Sequence, residues 1–275
     1  MRRRHSQFAD WSRTAVALII AIALLFPLVW VVLSSFQPTP DFSLPTPPLV
    51  PLHFTLANYA MVGGQLKPLA TSILVALCSA FFSVGIGLPA AYALAIFKWK
   101  VAPVAIFLIL VTQVVPTVML ATPAYLTFSS LHLLNSIPGL VIATSSAGVP
   151  FTILVLQAFM ADIPPALREA AYIDGASELR TLISVVFPIS RPAVISAGLF
   201  SFLFAWSDLL WALTLNTNGT VVPLPLSIFE FIGQYHIEWG AIMASASIAV
   251  IPAIALLVAA QRYISVGLTA GAIKE

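Results

Sequence analysis

Residues 169–188 read EAAYIDGASELRTLISVVFP and lie in the longest stretch of the second half of the chain that cannot be buried in lipid. That stretch extends from Met160 to Arg191. The charged side chains that crowd it are Asp162, Arg168, Glu169, Asp174, Glu178 and Arg180. Because such a concentration of charge is costly to place in hydrocarbon, the stretch must contact water or another protein.

The start of this stretch, ADIPPALREAAYIDG, predicts a short amphipathic helix. Pro164 and Pro165 suit the first turn of a helix, and Gly175 suits a left-handed exit from it. A second short helix is predicted after the glycine, so that the two together form a knob outside the lipid. The apolar side of this second helix consists of Leu179, Leu182, Ile183 and Val186.

The surface of the first predicted helix is suited to contact with another protein. Ala170 and Ala171 remove bulk, so the backbone or side chains of a partner can approach closely. Glu169 offers a carboxylate to a basic partner. The alternative is a solvated loop between helices that touches no partner.

The composition is that of an integral membrane protein. Of the 275 residues, 60% are hydrophobic and 8% are charged, and the mean hydropathy is +1.02. An average soluble domain has about 25% charged residues. Several membrane spans fit this length, but a sizeable soluble domain does not. Cys78 is the only cysteine, which excludes an internal disulfide and a multi-cysteine metal site.

The uncharged runs predict an all-α integral membrane protein with six transmembrane helices, in one domain covering 1–275. The first run is interpreted as a retained span because it is about 20 residues long and no A-x-A cleavage site follows it. Prolines predict extended chain in the loop that follows it, residues 37–68. The predicted spans are approximately 14–36, 69–97, 102–126, 138–159, 192–215 and 239–261, with a loop at 160–191.

The distribution of basic residues predicts the orientation. If the N-terminus is cytoplasmic, all but one of the 12 Lys and Arg side chains fall inside, and only Lys67 falls outside. Both termini and the loop 160–191 are then cytoplasmic. The residues placed inside are Arg2, Arg3, Arg4, Arg13, Lys98, Lys100, Arg168, Arg180, Arg191, Arg262 and Lys274.

The spacing of the polar stretch, E-A-A-x3-G-x9-V-x-F-P, resembles the EAA loop of the membrane subunits of ATP-binding-cassette (ABC) importers. The family pattern ends I-x-L-P, and Val185 and Phe187 stand in place of its Ile and Leu. Other segments are similar to the carbohydrate-uptake branch, the maltose-type permeases. These segments are EAAYIDGAS, FTLANY at 54–59, QVVPTVMLATPAY at 113–125, AWSDLLWAL at 205–213 and the tail 261–275.

The resemblance implies a permease subunit of a prokaryotic inner or plasma membrane. Such a subunit forms half of the translocation pathway of an ATP-driven, binding-protein-dependent sugar importer, with a di- or oligosaccharide as the expected substrate. The implied partners are a second permease in a heterodimer, two ATPase subunits that bind ATP and Mg²⁺, and an extracytoplasmic sugar-binding protein. This chain itself would bind no cofactor, and selectivity set by the partners leaves the sugar open.

The resemblance also assigns roles within the loop, which contains the predicted cytoplasmic coupling helix between the fourth and fifth spans. Glu169 is expected to pair with a basic residue of an ATPase, Ala170 and Ala171 to seat the helix, and Gly175 to turn the chain. The residues expected to couple to the ATPase are Glu169, Ala170, Ala171, Asp174, Gly175 and Pro188.

Sites for other chemistry are not found in the sequence. It contains no G-x-x-x-x-G-K-[ST] phosphate-binding loop and no H-E-x-x-H zinc motif. Its four histidines are scattered singly, and no catalytic Ser, His and Asp arrangement can be assembled. The sequence therefore predicts a protein that is not an enzyme and holds no metal.

Asp208 needs an explanation because it lies within the predicted fifth span. An acidic group at mid-depth in a membrane costs about 2.5 to 3.5 kcal/mol. Asp208 could line the passage and accept hydrogen bonds from sugar hydroxyls, it could be satisfied by a neighbouring helix, or it could stay wet near the outer face. Weaker candidates for the passage, with packing as the alternative, are Trp206, Trp211, Gln113 and Thr117.

Two other classes of protein compete with the importer hypothesis. An ion-coupled secondary transporter could use Asp208 as a proton or sodium site and would need no ATPase. No internal repeat is evident to favour it. A membrane enzyme would need a catalytic cluster.

Overall fold

The structure, a computed structural model, is helical in almost all of its ordered elements. It describes residues 2–44, 46, 48–97, 99–233 and 236–270, with side chains from 11 to 263. Within these residues, extended pairing is confined to a single bridge between Ile232 and Ile237. In chain order the α-helices are α1 (Arg2–Ser34), α2 (Ala57–Met61), α3 (Leu66–Ile96), α4 (Ala102–Val114), α5 (Ala121–Ser130), α6 (Ile137–Ala161), α7 (Pro165–Ile173), α8 (Glu178–Thr181), α9 (Phe187–Trp206), α10 (Leu210–Leu215), α11 (Leu224–Phe229) and α12 (Trp239–Ala270).

Long apolar helices confirm the all-α membrane class. Among the described residues, five helical stretches are long and apolar enough to cross a bilayer, and a bent pair of helices makes a sixth if the pair counts as one span. The five stretches are Trp11–Ser34, Gly63–Ile96, Ile137–Ala161, Glu178–Trp206 and Trp239–Tyr263.

The bent pair corrects the predicted third span, 102–126. Helix α4 ends at Val114, a short 3-10 turn and α5 follow, and the two halves are bent by 91°. Pro116 has no N–H to continue the helical hydrogen bonds, and it favours an extended conformation at the residue before it. Val115 accordingly has φ −67° and ψ 123°. The predicted single helix is therefore two.

The fifth span also differs from its predicted range, 192–215. The helical stretch begins earlier, at Glu178, passes through a π-helical turn at Leu182–Val186, and ends at Trp206. The charge on Arg191 led to the late predicted start, but its exposed side chain is tolerated within the helix, as is Pro192. Residues 207–209 are not helical, and α10 is a separate helix.

The chain divides into two compact units, and the first contains residues 1–65 and 228–251. In this unit the side-chain amide of Asn58 donates hydrogen bonds of 2.8 Å to the carbonyl oxygens of Ser35 and Gln37. Short helices at Thr39–Ser43 and in α2 interrupt the loop that was predicted to be extended. Pro45 and Pro47 of that loop lie outside the described residues.

The second unit, residues 66–227 and 252–275, has α3, α6 and α9 packed together as its core. Small and hydroxyl-bearing residues line these helix contacts. Thr152 and Ser201 share a hydrogen bond of 3.0 Å, and Ser79 and Thr144 share one of 2.7 Å. Small residues let helix backbones approach closely where no water is present, and hydroxyl pairs satisfy one another. A Cβ atom on Gly87 would lie 2.5 Å from the Cγ2 atom of Thr152.

We expect Gly87→Leu to destabilise this three-helix core. The added side chain would collide with the buried Thr152, and overpacking of this kind costs about 1 to 3 kcal/mol. Gly85→Leu is the matched control, since no atom lies within 4 Å of a Cβ on Gly85. Thermal unfolding in detergent should show a lower Tm for Gly87→Leu alone. Equal Tm values for the two variants would contradict the close packing.

Candidate functional site

Helix α7 lies in the polar stretch, and its ends are set by proline and glycine as predicted. Pro165 is the first helical residue, after Pro164 in an extended conformation. At the other end, Gly175 has φ +77°. The N–H of Gly175 donates to the carbonyl of Tyr172 at 3.0 Å, and the N–H of Ala176 donates to that of Ala171 at 2.9 Å. This pair of bonds is a Schellman motif, which satisfies the last carbonyl groups of the helix.

One face of α7 is open, and we call it the exposed α7 face. It consists of Glu169, Ala170, Ile173 and Asp174. Residues four apart on a helix are neighbours, so Glu169 lies beside Ile173 and Ala170 beside Asp174. Ala171, by contrast, is buried. Ile173 is 86% exposed and was missed as a candidate. Its helical spacing from Glu169 was the signal that could have identified it.

The other side of α7 is held to the second unit. Ile163, just before the helix, is buried in the cluster that contains Leu182 and Val186. The phenol of Tyr172 donates to the carboxylate of Glu178, at 3.0 Å from each oxygen. The polar stretch therefore has an anchored side and an open side.

The predicted second helix of the knob is not separate. Helix α8 continues through the π-helical turn into α9, so that the polar stretch and the fifth span share one helical element. The predicted apolar side also divides. Leu182 and Val186 are buried, whereas Leu179 and Ile183 are exposed. Each pair is spaced by four residues, and the two pairs lie on different faces. Pro188 is half-buried near the start of α9.

Asp208 occupies the link between α9 and α10 and not the middle of a helix. Its Oδ1 atom accepts a hydrogen bond of 2.9 Å from the N–H of Trp211, so the carboxylate, one residue before the N-cap Leu209, satisfies one of the free N–H groups in the first turn of α10. The structure thus gives this acidic group a partner on its own chain.

The other pathway candidates lie in different surroundings. Trp206 is buried and stacks on Phe202, with ring centroids 5.6 Å apart. Trp211 is buried in the cluster that contains Val75 and Leu140. These contacts fit the packing alternative for both tryptophans. Gln113 and Thr117 are exposed, one on each side of the bend at Pro116.

A second group of polar contacts, which was not predicted from the sequence, lies at the end of α6 opposite α7. Asn135, with φ 54°, accepts hydrogen bonds from the N–H groups of Thr217 and Asn218 at 2.7 and 3.0 Å. Because α6 has 25 residues, Asn135 and α7 are separated by about 37 Å. This distance is enough to place them on opposite sides of a bilayer.

Two predictions can be compared with the structure only in part. Lys98 and Lys274 and the side chains of Arg2, Arg3 and Arg4 lie outside the described residues, so the orientation stays a prediction. Across the described part of the chain, no group of three His, Cys, Asp or Glu side chains could hold a metal ion.

Comparison with known proteins identifies the family. Residues 83–269 match the family described as the binding-protein-dependent transport system inner membrane component. The chain belongs to this family. It is therefore a membrane permease component of an ABC transporter and not an enzyme, and ATP is hydrolysed by separate subunits.

Relatives of similar length are named as permeases. The chain is 32% identical over 259 residues to the probable ABC transporter permease protein y4oR of Sinorhizobium fredii, covering 93% of this chain and 92% of the relative. It is 31% identical over 274 residues to the diacetylchitobiose uptake system permease protein DasC of Streptomyces coelicolor, covering 98% and 99%. It is 31% identical over 264 residues to the trehalose/maltose permease protein MalG of Thermococcus litoralis, covering 94% of each.

A solved structure shares the fold. It is a bacterial ABC transporter involved in the import of the acidic polysaccharide alginate, and the similarity covers 95% of this chain and 98% of that one. The TM-score is 0.73 at 19% sequence identity. At this identity the similarity supports the fold and not the substrate.

We expect Gly175→Ala to reduce transport more than an equally strained substitution elsewhere. An alanine at φ +77° is strained by about 1 to 2 kcal/mol and would disturb the exit from α7. Gly219→Ala is the matched control, because Gly219 has φ +70° and, like Gly175, has open space around its Cβ position. Uptake by cells with equal amounts of inserted protein would measure the difference. Equal losses would argue against a special role for the exit of α7.

Proposed function

We propose that this chain is one of two permease subunits in an importer of di- or oligosaccharides, and that α7 is the element gripped by a cytoplasmic ATPase. The observation that supports the coupling role most strongly is the exposed α7 face on a helix joined through one turn to a spanning helix. Relatives named for diacetylchitobiose and for trehalose/maltose support the sugar class.

The proposed coupling starts at the exposed α7 face. Glu169 pairs with a basic ATPase residue, because a carboxylate and a cation form a strong hydrogen-bonded pair. Ala170 lets the partner approach closely, and Ile173 adds apolar area to the contact. Asp174 and Gly175 end the helix and orient this face. Buried Ala171 seats α7 against its own chain.

Movement of α7 would then reach the membrane through α8 and α9. The helical stretch from Glu178 to Trp206 has 29 residues and is about 43 Å long. A helix of this kind moves as a body, so a displacement near Pro188 shifts the end beside Asp208. In this proposal the ATPases bind ATP and Mg²⁺, and both termini of the permease are cytoplasmic. A second, different permease and an external sugar-binding protein complete the importer.

The proposed sugar passage is formed by the candidate residues near the bend at Pro116 and near the link between α9 and α10. Gln113 and Thr117 offer exposed amide and hydroxyl groups to sugar hydroxyls. The carboxylate of Asp208, which accepts from the N–H of Trp211, also accepts from the sugar in this proposal. Trp206 and Trp211 shape the wall by packing behind it. The ion-coupled alternative based on Asp208 is not favoured, because the chain belongs to an ATP-driven family.

We expect Glu169→Lys to abolish uptake while the protein stays inserted, because it places a cation opposite the proposed basic ATPase residue. Glu230→Gln, at an exposed carboxylate far from α7 in sequence, is the control and should retain uptake. Accumulation of radiolabelled trehalose, maltose and diacetylchitobiose, with co-purification of the ATPase, would measure both steps. Normal uptake of an accepted sugar by Glu169→Lys would remove the assigned role.

The energy source tests the function itself. Proteoliposomes that contain the assembled complex should accumulate sugar with internal ATP and should be insensitive to ionophores. Uptake by the purified chain alone on an ion gradient would overturn the importer proposal.

A further inference from the structure

Glu178 joins three helical elements through one carboxylate. Tyr172 on α7 donates to both of its oxygens at 3.0 Å, and Tyr92 on α3 donates to Oε2 at 2.8 Å. Glu178 itself is the first residue of α8, which continues into α9. Tyr92 and Glu178 are 86 residues apart in the chain. The tyrosine hydroxyls therefore tie the coupling helix and the second spanning helix to the same point.

The surroundings of Tyr92 make this a stiff attachment. Its ring is 4% exposed, lies in the cluster with Leu182 and Val186, and meets Phe97 edge-on at 6.0 Å. A buried tyrosine needs a partner for its hydroxyl, and here the partner is a carboxylate. Phenylalanine would fill the same space without the hydroxyl, so packing alone does not explain a tyrosine at this position.

Tyr172 provides the complementary attachment on α7. Its side chain is 39% exposed, and its hydroxyl reaches away from α7 to Glu178. Helix α7 is also attached to this unit by the burial of Ile163 and Ala171 and by the turn that ends at Ser177. Hydrogen bonds to a carboxylate are about twice as strong as those between neutral groups. Within the described residues, the carboxylate thus gives α7 a charge-assisted link to the helices.

We propose that Tyr92, Glu178 and Tyr172 form a clamp that transmits the movement of α7 to α3 as well as to α9. This inference rests on the proposed coupling function of α7. Because α3 packs on both α6 and α9, a pull at the clamp displaces the three packed helices together. The reverse also follows, since coupling between two sites is reciprocal. A shift of α3 on arrival of sugar would reach the ATPases through the same carboxylate.

The EAA-like spacing does not account for these residues. Tyr172 and Glu178 occupy unspecified positions of E-A-A-x3-G-x9, and Tyr92 lies outside it. They are positioning residues that act on the exposed α7 face without touching sugar or ATP.

The test compares transport with ATP hydrolysis in the same vesicles. The complete complex is reconstituted with its binding protein, as unmodified chain and as Tyr92→Phe, Tyr172→Phe and Glu178→Gln. Tyr125→Phe is the control, because Tyr125 lies on α5, outside the clamp. We expect the ATP hydrolysed per sugar transported to rise about tenfold in the tyrosine variants, since each loses the charge-assisted hydrogen bonding of one hydroxyl to Glu178. Glu178→Gln keeps an uncharged acceptor and should give a smaller rise.

If Tyr92, Tyr172 and Glu178 only stabilise the fold, their variants should give a different result. Loss of folded complexes lowers transport and ATP hydrolysis in proportion, and leaves their ratio unchanged. In the double variant Tyr92→Phe with Tyr172→Phe, the ATP hydrolysed per sugar transported should rise no more than about tenfold if the two hydroxyls act in series. If Tyr92→Phe does not assemble, the exposed Tyr172→Phe decides the question.

Two failures are distinguishable. Ratios within twofold of the unmodified complex for every assembled variant would overturn the clamp while leaving the importer function intact. Absence of ATP-driven uptake by the unmodified complex would instead overturn the proposed function.

Discussion

The unbroken helical stretch from Glu178 to Trp206 is the constraint on which the rest of the structure depends. Its first turn lies in the polar stretch, where charges must meet water or protein, and its remainder is apolar enough to cross a bilayer. A flexible hinge in this stretch would separate α7 from the membrane helices. The π-helical turn and two prolines are instead accommodated without a break, which makes the polar stretch and the span one mechanical element.

The sequence predicted most of the helices because charge and hydropathy decide where a membrane chain can lie. It also predicted α7 closely, since Pro165 and Gly175 act locally on the backbone. The effect of a proline inside an apolar run was harder to predict. Pro116 produces a 91° bend, whereas Pro192 remains within a helix. Residues around Pro116 are exposed, whereas α9, which contains Pro192, packs against α3 and α6. Tertiary contacts therefore decide whether a helix continues through a proline or bends at it.

Part of the candidate site could likewise be predicted from the local sequence, and part of it could not. The exposed α7 face follows from local helical spacing, and three of its four residues, Glu169, Ala170 and Asp174, could be named in advance. The link from Tyr92 to Glu178 could not, because it joins residues 86 positions apart through side chains alone. The hydrogen bond from the N–H of Trp211 to Asp208 could not be predicted, because 192–215 was interpreted as one continuous helix. Burial of Trp206 and Trp211 likewise depends on which helices meet around them.

Photocrosslinking from the exposed α7 face tests the central claim most directly. A photoreactive residue in place of Ile173, which is 86% exposed, should capture an ATPase subunit in intact membranes. The same probe in place of Leu131, 59% exposed at the other end of the second unit, should not. Capture of the ATPase from Ile173 and not from Leu131 is the predicted result. Capture of the ATPase from Leu131, or of the external binding protein from Ile173, would contradict the account.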